Sequence, residues 1–474
     1  MIFVYLIKKM RGIELIRKTM ELEECGRVPW VPFVGVHGAY IIGENSEQFL
    51  KSKDMIIRGV SEAIAAYNPD GIPVVFDLQL EAEAMGCRVI WAEQNPPSVI
   101  GHPLSEGKEL KDLKVPELAD GRVGIVMEAA SELRRRFPEI ALYGLVTGPF
   151  TLGLHLLGTD IFMSMFLDEK SVHELMKFCT KVAKRMTDFY CDAGCDVIAL
   201  VDPMVSQIDT EQFVQFVAPY STKIFEYIKE KGCLSSFFVC GDAQHNISAM
   251  CNCKPDNISV DENISLEFVK ETSLSKRVSF GGNLKLTTTL LLGEVIDCEK
   301  DAVECMNIGG SKGFILSPGC DLPYKTKAEN LKAIADIICD PYRQEIINTI
   351  LAGEKQTLQD SNEENHSSGD NSLVFAGAGD KSILRIDVIT LDSSSCAPCQ
   401  YMMDAVLRAA GNFTAKVEVK EHKIKNREGL EMMKSLSVTK IPTICIDGRP
   451  VFSSKIPPVE KIRQKIEEAL NRDK

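Results

Sequence analysis

The stretch AGCDVIALVDPMVSQI, residues 193–208, decides the fold of this protein. Five apolar residues follow Asp196, and Asp202 with the proline after it ends the run. A short unbroken apolar run is typical of a strand that is buried on both faces, as in a parallel sheet. The sequence therefore predicts a buried strand that carries a carboxylate at its C-terminal end.

Similar runs recur along the first 350 residues or so and alternate with amphipathic segments. Strands are predicted at residues 73–77, 141–149, 196–202, 235–241, 257–262, 278–283 and 313–319. Helices with apolar residues at three- and four-residue spacing lie between them, for example at 169–193 and 210–231. Seven or eight such units favour an α/β fold of the (β/α)8 TIM barrel type over an open doubly wound sheet.

Most of the predicted strands end in a residue that can bind a metal or a polar ligand. These residues are Asp77, Asp202, Cys240, Asp261, Asn283 and Cys320. A barrel places its active site at the C-terminal ends of its strands. Capping of the next helix explains any single carboxylate or amide equally well, but six together predict an enzyme-like mouth.

Composition excludes several classes of protein. The 474 residues are 45% hydrophobic and 26% charged, which is ordinary for a globular protein. Lys and Arg number 54 against 67 Asp and Glu, so the net charge of −13 argues against nucleic acid as a partner. The opening MIFVYLI is too short for a signal peptide or a membrane span, and its charges follow it, so we expect a cytoplasmic protein with no membrane partner. The 16 Cys are then expected to be reduced and mostly core residues.

One polar run divides the chain. Residues 353–372 contain a single large apolar side chain, Leu358, and cannot contribute to a core. We predict a barrel over residues 1–352, a flexible linker over 353–380 and a C-terminal domain over 381–474. The C-terminal domain carries a net charge of +5 and the remainder −18, which favours two domains that dock on each other.

The C-terminal piece resembles a small thioredoxin-fold domain over about residues 382–470. A strand leads into Cys396-Ala-Pro-Cys399 at the start of a helix, and KIPTICIDGRPV (440–451) follows about forty residues later. The resemblance implies that Cys396 is the attacking thiol, Cys399 the resolving thiol and Pro442 a cis-proline facing them. A lone CxxC is also half of a zinc site, but the sequence has no second CxxC.

The barrel also resembles a known family. The segments PVVFDLQLEAEAMGC, GLVTGPFTL, AGCDVIALVDPMVSQI, GGNLKLTTTLLLG and ILSPGCDLP occur in the order seen in the uroporphyrinogen decarboxylase superfamily. Over about residues 10–340 the chain is most similar to its corrinoid branch, the methylcobamide:coenzyme M methyltransferases. The resemblance implies a (β/α)8 barrel that binds zinc through a His-x-Cys pair and a later Cys.

The resemblance also assigns roles to individual residues. Cys240 and Cys320 would be metal ligands. Asp77 and Asn283 would be catalytic. The residues expected to line the substrate site are Asp202, Asp261, Pro442 and His37, although a core position fits His37 equally well.

Zinc has a clear purpose in such a site. A thiol is only slightly ionised at neutral pH, and coordination to zinc deprotonates it. The zinc thiolate can then attack a methyl group held on a corrinoid. Two Cys with a His or a carboxylate, leaving one position open, form a catalytic zinc set.

This chain departs from the family at one ligand. Phe238 stands where the family has the His of His-x-Cys, and Phe cannot bind zinc. His245 is the predicted substitute, and the other candidates are Cys251, Cys253, Glu81 and Glu83. The sequence leaves open whether zinc still binds.

Two functions follow. In the first, the protein is a methyltransferase that moves a methyl group between a methylated corrinoid protein and a zinc-activated small thiol, with an appended dithiol redox domain. The corrinoid belongs to a partner protein, since the chain has no DxHxxG segment, and a homodimer is possible. In the second, the barrel is a binding or redox module, or a decarboxylase-like lyase, and the only other chemistry is at the CxxC. Uroporphyrinogen decarboxylation is disfavoured, because no Arg lies between Arg27 and Arg58 to bind the carboxylates of the substrate.

Overall fold

The computed structural model describes residues 12–364, 384–393, 396–413 and 417–470. The opening MIFVYLI and residues 365–380 of the predicted linker lie outside these ranges. Residues 353–364, the first part of that linker, continue the helix Pro341–Glu364. Glu, Lys and Gln are good helix formers, so a polar segment that joins no core still propagates a helix that precedes it.

A curled parallel sheet of seven strands forms the first domain, and neighbours in the sheet follow chain order. The strands are Gly71–Pro73, Ala141–Thr147, Val197–Val201, Leu234–Val239, Asn257–Val260, Ser279–Leu284 and Phe314–Pro318. Trp30 forms a parallel bridge to Leu316 in the last strand, and its carbonyl accepts the N–H of Asp70 beside the first strand. The segment around Trp30 therefore occupies the position of an eighth strand, between the last strand and the first. The prolines on either side of Trp30-Val31 have no N–H group to donate, which limits further pairing. The predicted TIM-barrel class is confirmed.

Helices alternate with the strands and cover the outside of the sheet. Those of the first domain are Ile13–Met20, His37–Ile41, Ser46–Leu50, Lys53–Tyr67, Leu80–Ala84, Val123–Arg136, Pro149–Leu157, Asp160–Leu167, Glu169–Asp192, Thr210–Phe216, Ala218–Glu230, Ile247–Asn252, Leu266–Ser275, Val295–Gly309, Ala328–Ile337 and Pro341–Glu364. A hairpin of Arg88–Ile90 and Ser98–Gly101 lies beside the barrel mouth region.

Two predicted elements differ most from those in the structure. The strand expected at residues 73–77 ends at Pro73, and the chain from Val74 onward forms a loop. The helix expected at 210–231 is divided at Val217, because Pro219 can occupy only the first turn of a new helix.

The strands are buried on both faces, so the barrel has two apolar layers. Side chains that point inward, including Phe33, Phe76 and Phe238, form one cluster. Side chains that point outward, including Phe237, join the larger cluster beneath the helices. Successive residues of a strand point to opposite faces, which is why the adjacent Phe237 and Phe238 belong to different layers.

The C-terminal domain has the predicted thioredoxin fold. Its four-stranded sheet has the order Val417–Lys423, Leu384–Thr390, Thr443–Ile446 and Arg449–Ser453, with the first pair parallel and the others antiparallel. The helices are Ala397–Ala410, Arg427–Ser435 and Val459–Leu470.

The described residues contain no single helix that is long and apolar enough to cross a membrane. Two consecutive helices, Pro149–Leu157 and Asp160–Leu167, are together long and apolar enough to span a membrane, but the chain bends by 105° between them. The first helix of the pair is buried in the barrel core.

Candidate active site

A cavity of about 130 Å³ lies at the C-terminal ends of the barrel strands, beneath the thioredoxin domain. Both domains contribute to its walls. Six residues that were predicted from the sequence as site residues line it: Cys240, Asp261, Cys320, Cys396, Cys399 and Pro442. The cavity therefore joins the barrel thiols to the CxxC motif, a relationship that neither domain reveals alone.

Cys240 and Cys320 are in direct contact. Cys240 follows the strand Leu234–Val239 and Cys320 follows Phe314–Pro318, and their Sγ atoms are 2.6 Å apart. The hydrogen bond with Cys320, burial and the nearby Asp261 and Cys396 raise the pKa of Cys240. The same hydrogen bond lowers the pKa of Cys320, but burial and nearby carboxylates outweigh it and leave that pKa above its usual value. Both groups are therefore neutral thiols at neutral pH.

Two buried carboxyl groups lie next to this pair. Asp261 accepts backbone N–H groups from Gly241 at 3.0 Å and from Asn263 at 2.7 Å, and burial raises its pKa. Asp321 follows Cys320 directly, and burial raises its pKa well above the usual range. Within the part of the chain that the structure describes, its Oδ1 atom has no hydrogen-bond partner. Sequence reasoning missed Asp321, although it stands in the quoted segment ILSPGCDLP immediately after a strand-end residue.

An aromatic cluster occupies the side of the mouth where the family His would stand. The ring of Phe238 lies 4.9 Å from that of Phe33 and 5.7 Å from that of Phe76, centroid to centroid. Phe238 is 1% exposed. These rings fill the space beside Cys240 with apolar surface.

The arrangement does not fit a zinc ion. Within the described ranges, no three His, Cys, Asp or Glu side chains form a group that could hold a metal. The Nε2 atom of His245, the predicted third ligand, lies 2.8 Å from the carbonyl of Ile208. Two thiols alone do not complete a zinc set.

The other candidate ligands also have partners elsewhere. The thiol of Cys251 lies 3.7 Å from the Ser273 hydroxyl, and that of Cys253 lies 3.5 Å from the carbonyl of Ala249. Glu81 accepts the hydroxyl of Thr147 at 2.7 Å. Glu83 is paired with Arg122.

The redox motif has the geometry that the sequence implied. Cys396 immediately precedes the helix Ala397–Ala410, and the peptide bond between Ile441 and Pro442 is cis. Cys399 is buried and its Sγ accepts the N–H of Leu391 at 3.4 Å. Burial and a hydrogen bond with Cys396 raise the pKa of Cys399. Cys396 is the more accessible thiol of the two, as an attacking group must be.

Two predicted site residues, Asp77 and Asn283, do not line the cavity. Asp77 forms a buried ion pair with Arg122. The amide of Asn283 donates to the carbonyls of Asp261 and Ile264, at 3.3 and 2.8 Å, and so holds the loop that carries Asp261. The catalytic roles of both residues stay predictions, and their observed contacts are structural.

Asp202 likewise lies outside the cavity lining and caps a helix. Its carboxylate accepts the N–H groups of Phe150 and Thr151, at 3.1 and 2.8 Å, at the start of the helix Pro149–Leu157. Burial raises its pKa to about 6. Gly148 is required here, because a Cβ atom at that position would lie 2.3 Å from the Asp202 side chain.

His37 is a buried core residue with both ring nitrogens bonded. Nδ1 lies 3.0 Å from the carbonyl of Tyr324, and Nε2 lies 2.8 Å from the hydroxyl of Tyr67. Burial lowers the pKa of His37 to about 4. It is absent from the cavity lining, so its substrate-binding role stays a prediction.

Several side chains that the sequence did not single out hold the two domains together. The amide of Gln207 donates to the carbonyl of Ser454 and accepts the N–H of Ile456, both at 2.9 Å. Lys440 forms an ion pair with Asp242. Tyr401 of the thioredoxin domain is 2% exposed and packs into the barrel core. These contacts join residues more than a hundred positions apart in the sequence, so no local sequence pattern predicts them.

A sequence profile of the uroporphyrinogen decarboxylase (URO-D) family matches residues 12–340. The chain belongs to the URO-D family. A thioredoxin domain profile matches residues 384–467, which confirms the second domain of this URO-D family protein.

Relatives of this URO-D family protein include methyltransferases and decarboxylases. It is 28% identical over 271 residues to the methylcobamide:CoM methyltransferase MtbA of Methanosarcina acetivorans, covering 56% of this chain and 78% of the relative. It is 26% identical over 280 residues to a methylated-thiol–coenzyme M methyltransferase of Methanosarcina mazei, covering 57% and 73%. A uroporphyrinogen decarboxylase of Anaeromyxobacter is 23% identical over 310 residues, covering 61% and 86%. The more similar relatives support a methyltransferase.

The fold agrees with a solved structure. A methyltransferase from Methanosarcina mazei superimposes with a TM-score of 0.64 at 24% identity, covering 69% of this chain and 97% of that one. The match confirms the barrel as the shared part.

Proposed function

We propose that this protein transfers a methyl group between a corrinoid carried by a separate protein and a small thiol, at the mouth of the barrel beside Cys240 and Cys320. The observation that carries the proposal is the meeting of these two thiols with Asp261 and Asp321 in one cavity at the strand ends. The similarity to methylcobamide:CoM and methylated-thiol methyltransferases supports the chemical class.

The residues of the mouth have distinct tasks in this proposal. The corrinoid, when its carrier is docked, supplies the methyl group, and the thiol sulfur forms the new bond to carbon while cobalt keeps the electron pair. The thiol must lose its proton to attack. Asp321 follows Cys320 directly, and its buried Oδ1 atom has no hydrogen-bond partner among the described residues, so its ionised form is placed to accept that proton. The rings of Phe33, Phe76 and Phe238 keep the site apolar. No zinc step is included, since the residues present do not form a zinc set.

The thioredoxin domain must move away for this reaction. Pockets for drug-sized ligands have volumes of about 300–1,000 Å³, and a corrin ring is larger than such a ligand. The present cavity of about 130 Å³ is too small for it. Methyl transfer is therefore assigned to an open arrangement of the two domains.

Decarboxylation of a polycarboxylate is less well supported. The described lining of the cavity contains the carboxyl groups of Asp242, Asp261 and Asp321 and a single cationic side chain, Lys425. Many substrate carboxylates need several cationic partners.

The second candidate function is a protein whose only chemistry is thiol–disulfide exchange. The loss of a metal ligand at Phe238 favours it.

The deciding experiment measures demethylation of free methylcobalamin by a small thiol, with the reduced full-length protein. We expect turnover that falls at least a hundredfold in Cys240→Ser with Cys320→Ser. The matched control replaces Cys191 and Cys233, whose Sγ atoms are 2.7 Å apart at the other end of the barrel, and should keep full activity. Absence of thiol methylation in the wild type at saturating methylcobalamin would overturn the proposal and favour the exchange-only alternative.

A further inference from the structure

Two dithiols face each other across the cavity. Cys240 and Cys320 form one, with 2.6 Å between their sulfurs, and Cys396 and Cys399 form the other. A disulfide bond is about 2.05 Å long, so closing the barrel pair needs only a small movement. The cis-proline Pro442, which faces the redox motif, lines the same space.

The contacts between the domains flank this meeting point. Lys440, two residues before Pro442, is paired with Asp242, two residues after Cys240. Gln400, the residue after Cys399, donates to the carbonyl of Val99 at 2.6 Å. The docked arrangement therefore fixes the redox motif over the barrel thiols rather than over an open surface.

We propose that the Cys396–Cys399 dithiol reduces a disulfide between Cys240 and Cys320, so that the thioredoxin domain is an intramolecular reductase of the barrel mouth. The proposal goes beyond methyl transfer and does not rest on it. The substrate of this second activity is a disulfide of the same chain.

The exchange balances in two steps. The Cys396 thiolate attacks the Cys240 sulfur, the bond between Cys240 and Cys320 breaks, and Cys320 leaves as a thiolate that takes up a proton. Cys399 then loses its proton and attacks Cys396, which releases Cys240 and forms the Cys396–Cys399 disulfide. Two electrons and two protons pass to the barrel pair.

The cycle needs one oxidant and one reductant from outside. A hydroperoxide converts the barrel dithiol to a disulfide and is itself reduced to an alcohol, or to water when it is hydrogen peroxide, with release of water. An external protein dithiol returns Cys396 and Cys399 to the reduced state and becomes a disulfide.

The chain contains its own control pair. Cys191 and Cys233 are also in contact, with 2.7 Å between their sulfurs. Cys233 precedes the strand Leu234–Val239 and Cys240 follows it, so the two sites lie about 23 Å apart at roughly 3.3 Å per residue. Oxidation closes both pairs, but only one lies within reach of Cys396.

The first test traps the intermediate. Cys399→Ser in the full-length protein is treated with diamide, alkylated and mapped by mass spectrometry. We expect a link between Cys396 and Cys240 within one chain, and none between Cys396 and either control cysteine. Absence of any disulfide at Cys240, or a link from Cys396 to the control pair at equal yield, would overturn the proposal.

The second test is kinetic and needs neither a corrinoid nor a methyl donor, so its result is separate from that of the methyl-transfer assay. The wild type and Cys396→Ser are oxidised with hydrogen peroxide, and reduction of each disulfide by limiting dithiothreitol is followed by quenched alkylation. We expect the Cys240–Cys320 disulfide to be reduced at least tenfold faster in the wild type, independently of protein concentration. The Cys191–Cys233 disulfide should be reduced equally fast in both. Equal rates for the barrel pair, or a rate that rises with protein concentration, would contradict intramolecular reduction.

Discussion

The guanidinium of Arg122 lies 2.7 Å from the carboxylate of Asp77, and both side chains are buried within the barrel. Arg122 also contacts Glu83 at 2.7 Å. Asp77 is thus held by a cation behind the mouth, and it is absent from the cavity lining. A buried ion pair is costly to break from one side, because the remaining charge stays uncompensated.

We therefore expect Asp77→Asn to lower the free energy of unfolding by about 3 kcal/mol. Denaturant titration measures this loss. The double variant with Arg122→Met should recover part of it, since both charges of the buried pair are then removed while the partly exposed Glu83 loses its cation. Methyl transfer per folded molecule should stay within a fewfold of the wild type in both variants. A loss of more than a hundredfold in both would instead establish the catalytic role predicted for Asp77.

The aromatic cluster predicts how zinc binding could be restored. Phe238 stands at the position of the family His and points into the barrel beside Cys240. Phe238→His should add the missing ligand, and we expect about one zinc per chain by elemental analysis, against none in the wild type.

Phe237→His is the matched control for zinc binding. Phe237 is the neighbouring residue and points to the outer layer, where its ring lies 5.2 Å from that of Phe225. This variant should bind no zinc. One zinc per wild-type chain that is lost in Cys240→Ala with Cys320→Ala would show that Phe238 does not prevent metal binding.

Docking of the two domains depends on Gln207. Its side chain makes two hydrogen bonds to the thioredoxin domain, at Ser454 and Ile456. Gln207→Ala removes both, and at roughly 1 kcal/mol each the open arrangement should become about 30-fold more populated. Small-angle scattering and hydrogen exchange at the interface report this change.

The control for docking is Gln464→Ala, whose exposed side chain bonds within its own helix. It should leave scattering and exchange unchanged. A closed Gln207→Ala protein with unaltered interface exchange would mean that the remaining contacts, those of Tyr401, Lys440 and Gln400, hold the domains together without Gln207.

His37 predicts a dependence of stability on pH. Its pKa is lowered from about 6.5 in the unfolded chain to about 4 by burial, so the unfolded state binds the proton first as the pH falls. The stability that this neutral ring contributes is present above about pH 6.5 and is lost on going down to about pH 4, by about 3 kcal/mol. His37→Gln should flatten this part of the curve in thermal melts between pH 4 and 7. His173→Gln, at a half-buried position, should leave the slope in place.

The sequence by itself determined the class of the fold and the place of the CxxC motif in a second domain. Unbroken apolar runs such as VIALV predict strands buried on both faces, and alternation with helices predicts a barrel, because these patterns are local. The CxxC motif and the cis-proline Pro442 were likewise identified from short segments and confirmed by the structure.

Only the tertiary structure decided which strand-end residues meet. Cys240 and Cys320, 80 residues apart, are in contact. Asp77 instead forms a salt bridge, Asp202 caps a helix and Asn283 bonds to a loop. A strand end fixes the height of a side chain in the barrel but not its direction, which depends on a buried partner elsewhere in the chain. The position of the CxxC over the barrel thiols was decided in the same way. It depends on the docking contacts of Gln207, Lys440 and Tyr401, which join distant parts of the chain.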